Sequence, residues 1–154
     1  MTTKHNSYIA RETAINTVFS VVLGIAFAFL FFQSDTHIDL GSRKVVLDIM
    51  PQSFAVAFMS SLIPSLLTHQ RRSNGKLQAL ESKHSLPRNV FLRSTVTGVI
   101  VTTICTAAYA VLGPAQGAIV LILGQFVMLK AVFGGILSLV VTPIALISAL
   151  RDAL

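Results

Sequence analysis

Charge is what this sequence has least of. Lysine, arginine, aspartate and glutamate make up 12% of its 154 residues, about half the share of an ordinary soluble domain. Hydrophobic residues make up 53%, and a water-soluble fold of this size has too small an interior to bury them. Tryptophan is absent and cysteine occurs once, at Cys105. A single thiol excludes an intramolecular disulfide and leaves the redox compartment open. Hydrolase elbows, phosphate-binding loops and metalloprotease signatures are also missing. His5, His37, His69 and His84 show no metal-ligand spacing. These absences point away from an enzyme, a metal centre and a cofactor.

What is present is a set of long neutral runs. No charged residue falls in 13–34, 49–70, 94–129 or 131–150, intervals of 22, 22, 36 and 20 residues. A helix needs about 20 residues to cross the hydrocarbon of a bilayer, so each interval holds one crossing. Backbone in lipid must satisfy its own hydrogen bonds, which leaves helices or a closed barrel; continuous apolar runs choose helices over the alternating strands of a barrel. The expectation is an all-α, four-helix transmembrane bundle in one integral membrane domain, 1–154, with helices at 9–32, 48–70, 89–112 and 128–150. Gly113 and Pro114 are placed to end the third helix. The first run is too long for the core of a cleavable signal and is read as a retained helix. The segment 115–129 is left as a short interfacial or re-entrant stretch, or as the start of a longer helix 4.

Charge outside the runs sets an orientation. Between helices 2 and 3, Arg71, Arg72, Lys76, Lys83, Arg88 and Arg93 stand against Glu81, a net +5 that belongs on the cytoplasmic side. Arg43 and Lys44 against Asp35, Asp39 and Asp48, and the neutral stretch before Lys130, belong outside. An even number of crossings then puts both termini in the cytoplasm. The net charge of +6 follows from this topology, so no nucleic-acid partner is expected. The bilayer is the expected partner, and the 71–93 loop could also hold anionic lipid head groups. Arg11 precedes helix 1 as Arg93 precedes helix 3, and Pro64 sits in helix 2 as Pro143 does in helix 4. Two hairpins related as a parallel repeat would give this pattern.

Small and polar residues recur every fourth position: Asn16, Ser20, Gly24 and Ala28 in helix 1, and Lys130, Gly134, Ser138 and Thr142 in helix 4. Helix 2 has Ser53, Ala57, Ser61 and Pro64; helix 3 has Thr95, Gly98, Thr102, Thr106 and Tyr109. Such faces let helix backbones approach and hydroxyls bond across helices; the same groups could instead line a polar pathway. Lys130, Asn16 and Thr102 are the candidate polar residues. Counting back from Arg151, Lys130 falls near the outer interface, where its stem would snorkel to water. Glu12 and Asp48 are read as carboxylates at helix N-termini in the interface.

The stretches Arg11-Glu12-Thr13-Ala14-Ile15-Asn16, Lys130 through Gly135, and Val141-Thr142-Pro143 resemble those of small four-helix integral inner-membrane proteins of bacteria, a family with no assigned activity. The resemblance implies a bacterial inner membrane and carries over no functional residue. The chain departs from small multidrug exporters, which rely on tryptophan and on a glutamate embedded in helix 1. The function expected from the sequence is a non-enzymatic accessory or assembly subunit of a larger membrane complex, with a small oligomeric transporter or channel, acting as a homo-oligomer, as the alternative.

The orientation is checked with single cysteines on a Cys105→Ser background. His37→Cys is expected to react with a membrane-impermeant maleimide in intact cells, and His84→Cys only after permeabilisation. The reverse pattern would invert the topology.

Overall fold

The structure, a computed structural model, describes the backbone of residues 3–73, 89–112 and 119–151 and the side chains of 6–71, 89–112 and 119–150. Among these residues the elements run α1 (Thr3–Phe32), β1 (His37–Asp39), α2 (Arg43–Ser73), α3 (Val90–Leu112), β2 (Val120–Ile122) and α4 (Leu123–Arg151). All four helices are long and apolar enough to cross a membrane. They form an all-α four-helix bundle. Gly113, Pro114, and Lys76, Glu81, Lys83, His84 and Arg88 of the basic loop lie outside the described residues, as does most of that loop's proposed lipid-binding surface.

Three helices start earlier than the neutral runs suggest. α1 begins at Thr3 rather than 9, α2 at Arg43 rather than 48, and α4 at Leu123 rather than 128. Charged residues do not end a helix that leaves the membrane or that finds a partner for the charge. Ser42 accepts from the amides of Val45 and Val46 at the start of α2. The Asp39 carboxylate turns the chain just before it by accepting from the Gly41 amide at 2.8 Å. Asn89 caps α3, its side-chain oxygen accepting from the Phe91 amide at 3.0 Å. Of the segment 115–129, residues 115–118 lie outside the described residues. Val120–Ile122 pairs antiparallel with His37–Asp39, and the remainder from Leu123 is the start of α4.

The contacts define the arrangement. Along α1 and α4 the partners run in opposite directions: Phe32 meets Phe126, Gly24 meets Lys130, Ser20 meets Gly134 and Asn16 meets Ser138. Along α2 and α4 they run together, with Gln52 against Lys130 and Ser60 against Ser138, each pair 78 residues apart. Pro64 and Pro143 are separated by 79 residues. Parallel α2 and α4 meeting at corresponding positions is what two hairpins related by an axis along the bundle produce. α3 packs against α2, and only 6% of its spanning stretch is buried, against 44% for α2 and for α4. The chain therefore folds as a three-helix interior of α1, α2 and α4, with α3 appended to α2. The beginnings of α1 and α3 and the ends of α2 and α4 share one end of the bundle; the β1–β2 pair closes the other.

Glycine makes the α1–α4 contact possible. A Cβ on Gly24 would lie 2.6 Å from the backbone oxygen of Lys130, and a Cβ on Gly134 would lie 2.6 Å from the backbone oxygen of Ser20. Both distances are below any tolerable contact, and both obstacles are main chain, which cannot swing aside. A four-residue repeat on both partners matches interdigitation of their four-residue ridges. Gly24 and Gly134 let those ridges close to backbone contact, the usual use of small residues in membrane bundles.

Gly134→Ala is therefore expected to destabilise the bundle by about 1–3 kcal/mol, the range for overpacking. Gly124→Ala, where an added Cβ meets nothing within 4 Å, should be neutral or stabilising by up to about 1 kcal/mol. Denaturant unfolding in micelles checks the contrast, and equal effects would refute the close-approach argument.

Candidate functional site

The residues of α1 that face inward lie one turn apart: Glu12, Asn16, Ser20, Gly24, Ala28 and Phe32 are all buried. On α4 the buried row is Phe126, Lys130, Gly134, Ser138 and Thr142. α2 contributes Asp48, Gln52, Val56, Ser60 and Thr68 to the same interior. Three rows of this kind give a seam that is apolar at the strand-capped end and polar for the rest of its length.

The charged centre of the seam is Asp48 with Lys130. Lys130 is 3% exposed and Asp48 is fully buried, and the Lys130 ammonium ion-pairs with the Asp48 carboxylate. Gln52, one turn below Asp48, holds Lys130 twice: its side-chain oxygen accepts from the ammonium, and its amide nitrogen donates to the Lys130 backbone oxygen at 3.4 Å. Asp48 Oδ1 has no hydrogen-bond partner among the described residues. The Phe126 ring lies 5.5 Å from the ammonium, within cation–π range. Ile38, Leu40, Val45, Ile49, Phe32 and Phe126 form the apolar cluster at the strand-capped end, which separates the pair from water there.

This corrects the expected place of Lys130. Its head group does not snorkel to water, because α4 begins seven residues before it, about 10 Å along the helix. Asp48 is corrected for the same reason: it lies five residues into α2, away from any free helix N-terminus. Glu12 is also buried within the bundle. α2 extends past residue 70 and brings Arg71 onto it at 2.9 Å.

Below the ion pair, Gly24 and Gly134 occupy one helical turn, and then a hydroxyl cluster begins. Ser20 and Ser60 lie 3.4 Å apart; Ser60 donates to Ser138 at 3.4 Å; Ser138 and Thr142 are 3.2 Å apart. Asn16 donates to Ser138 at 3.2 Å and to Thr142 at 2.7 Å. Ser20 and Gln52 do not bond directly, yet the point where a Gly134 Cβ would sit is 2.6 Å from the Ser20 backbone oxygen and 3.9 Å from the Gln52 amide nitrogen. The seam ends in the Glu12–Arg71 pair and in the 3.0 Å contact between Tyr8 and Thr68. Beside it, an open groove of about 620 Å³ between α1 and α4 is lined by Ile9, Thr13, Leu139 and Pro143 among others.

The structure thus brings Lys130 and Asn16 into one seam and leaves Thr102 outside it. Thr102 is half-buried on α3, with its hydroxyl unpartnered among the described residues. On the same α3 face, a Cβ on Gly98 would lie 2.9 Å from the Phe54 ring of α2. A second polar contact joins α2 to α3: Arg93, 2% exposed, donates to Ser65 at 3.1 Å, and Ser94 donates to Ser61 at 3.2 Å. Gln52, Ser60, Ser65 and the Glu12–Arg71 pairing were missed by the sequence reading. The four-residue step from Asp48 to Gln52 could have revealed the first, had Asp48 not been counted as the flank of a neutral run. Among the described residues no group of His, Cys, Asp and Glu is arranged to hold a metal ion in the manner of a multi-ligand site.

No family model, curated protein or solved structure matches this chain.

A buried pair in apolar surroundings loses more when one partner is removed than when both are. Lys130→Met and Asp48→Asn are each expected to destabilise the bundle by roughly 3–5 kcal/mol, while the double variant recovers most of that loss. A double-mutant cycle by unfolding in micelles measures the coupling; additive effects would show that the two charges do not depend on each other.

Proposed function

We propose that this protein is a small membrane transporter whose working centre is the Asp48–Lys130 pair. The observation that carries the reading is a complementary pair of charges, shielded from water, inside helices long enough to span a bilayer. Ionisable groups in such a setting are unfavourable to bury, and they mark ion and proton pathways in membrane proteins. The accessory-subunit expectation rested on small-residue seams without an ionisable centre, and Asp48 with Lys130 supplies one.

The seam has a direction. On one side of the pair lies the apolar cluster around Phe32 and Phe126; on the other lie Ser20, Ser60, Ser138, Thr142 and Asn16. Hydroxyls both donate and accept, so this side places proton-relay groups between the pair and the Glu12–Arg71 end, although Ser20 and Gln52 are not directly bonded. The apolar side offers none. A carrier closed at one end and connected to the other has the asymmetry that alternating access requires. Pro64 and Pro143 each remove a backbone hydrogen bond from a helix of the interior, which gives α2 and α4 places to bend.

The same reading takes the chain as non-enzymatic and multi-pass in a bacterial inner membrane, with the relay end and both termini cytoplasmic. Support comes from the net +5 of the 71–93 segment. The interior is closely packed at Gly24 and Gly134, so a pore wider than a proton relay needs either a second copy of the chain or a rearrangement of α1 against α4.

In proteoliposomes carrying an internal pH dye, an imposed pH gradient is expected to collapse faster with this protein than in empty vesicles, in at least one alkali-chloride medium. Asp48→Asn with Lys130→Met should reduce the rate at least ten-fold, and Ser138→Ala should reduce it by a smaller factor. Identical rates for the native protein and the double variant would reject the transport reading.

A further inference from the structure

We propose that the open groove between the start of α1 and the end of α4 binds one anionic phospholipid, with an acyl chain along the groove and the phosphate at its basic mouth. The site is independent of the Asp48–Lys130 pair and of the transport reading.

The lining decides what can fill the groove. Ile9, Ala10 and Ala14 of α1 face Leu139, Pro143 and Ile147 of α4 around about 620 Å³, a volume within the range of small-molecule sites. All six belong to stretches able to cross a bilayer. Ala10, Ala14 and Leu139 are exposed, so the groove is open to whatever surrounds the helices. It exists because Ala10 and Ala14, one turn apart, are too short to close the space against α4. Water in a cavity needs two to four polar partners. The polar side chains of the lining are Asn6 and Thr13, about 10 Å apart along α1, too far apart to serve one water together. Hydrocarbon matches the rest.

Two observations favour a lipid over other apolar occupants. Thr13 is 7% exposed, and its hydroxyl is buried with no hydrogen-bond partner among the described residues. A buried hydroxyl left unbonded is unfavourable, and the ester carbonyls at the head of an acyl chain can accept from it. The second observation is charge. The row Leu139, Pro143 and Ile147 continues at the same four-residue step to Arg151, which ends α4; Lys4 and Arg11 belong to the opening turns of α1. With Arg71 they stand against Glu12 and Asp152, a net +2; Asp152 lies outside the described residues. Glu12 is already paired with Arg71 at 2.9 Å. The first amides of α1 add the positive end of a helix dipole at the same place. A head group of net negative charge complements this mouth. A second copy of the chain, seated groove to groove, would instead bring two positive mouths together, which is unfavourable.

The test is native mass spectrometry of the full-length protein released from nanodiscs of equimolar phosphatidylglycerol and phosphatidylcholine with identical acyl chains. Ala14→Trp fills the groove from an exposed position and should keep the native circular dichroism. The native protein is expected to retain one lipid per chain more than this variant does. That lipid should be phosphatidylglycerol by about five-fold or more, the effect of a single basic residue on an anionic lipid surface. Lys4→Gln with Arg11→Gln and Arg151→Gln should keep the lipid and lose the preference. Val132→Trp, at an exposed α4 position outside the groove, should behave as the native protein. The proposal is overturned if the native protein retains no such lipid or takes both kinds equally. Equal retention by a folded Ala14→Trp, a preference that survives the three glutamines, or release of the chain as a lipid-free dimer would overturn it as well, the last by placing a second copy in the groove.

Discussion

A carboxylate and an ammonium buried among membrane helices are tolerable only together, and that requirement ties the rest of this structure to one arrangement. Asp48 is on α2 and Lys130 on α4, so neutrality of the interior requires the second and fourth helices to be neighbours in a single register. A one-turn slip would separate the charges by about 5.4 Å and leave each without its partner. Gln52 reinforces the register because it meets both the side chain and the main chain of Lys130. A polar group that selects one pairing among many apolar ones is the best-attested structural use of buried charge.

The glycine contacts serve the same register by a different force. Lipid tails are as apolar as leucine, so helices in a bilayer gain little by burying leucine against leucine and associate through close packing and hydrogen bonds. α1 and α4 meet where Gly24 and Gly134 admit the backbone oxygens of Lys130 and Ser20. The approach brings Asn16, Ser138 and Thr142 within hydrogen-bond distance. The ion pair and the glycine contacts thus act on α4 from two sides. α3 is held to α2 by Arg93, Ser94 and Gly98, touches the apolar cluster through Cys105 and Tyr109, and presents most of its surface outward.

On the proposed reading, the polarity of the seam matters as much as its presence. The apolar cluster around Phe32 and Phe126 insulates the pair at the strand-capped end, while hydroxyls line the other side. The β1–β2 pair and the Asp35–Lys44 contact at 2.5 Å hold that cap together. Structure, charge balance and direction all converge on the same two side chains.

Sequence alone determined the four helices and the inward faces of α1 and α4, because both follow from local rules. Neutral apolar runs of about 20 residues are long enough to cross a bilayer, and a small or polar residue every fourth position marks one side of a helix. The rows through Asn16 on α1 and through Lys130 on α4 were legible for that reason. What only the tertiary structure decided is which faces meet. Asp48 and Lys130 stand 82 residues apart, each at the border of a neutral run, where a charge is ordinarily read as a flank in contact with water. Their burial depends on two helix starts lying five residues earlier than the charge pattern suggests, and on α2 and α4 being parallel neighbours. No local rule carries that information, because an ion pair is a property of two distant positions: each charge is unfavourable in the bilayer until the fold supplies the other.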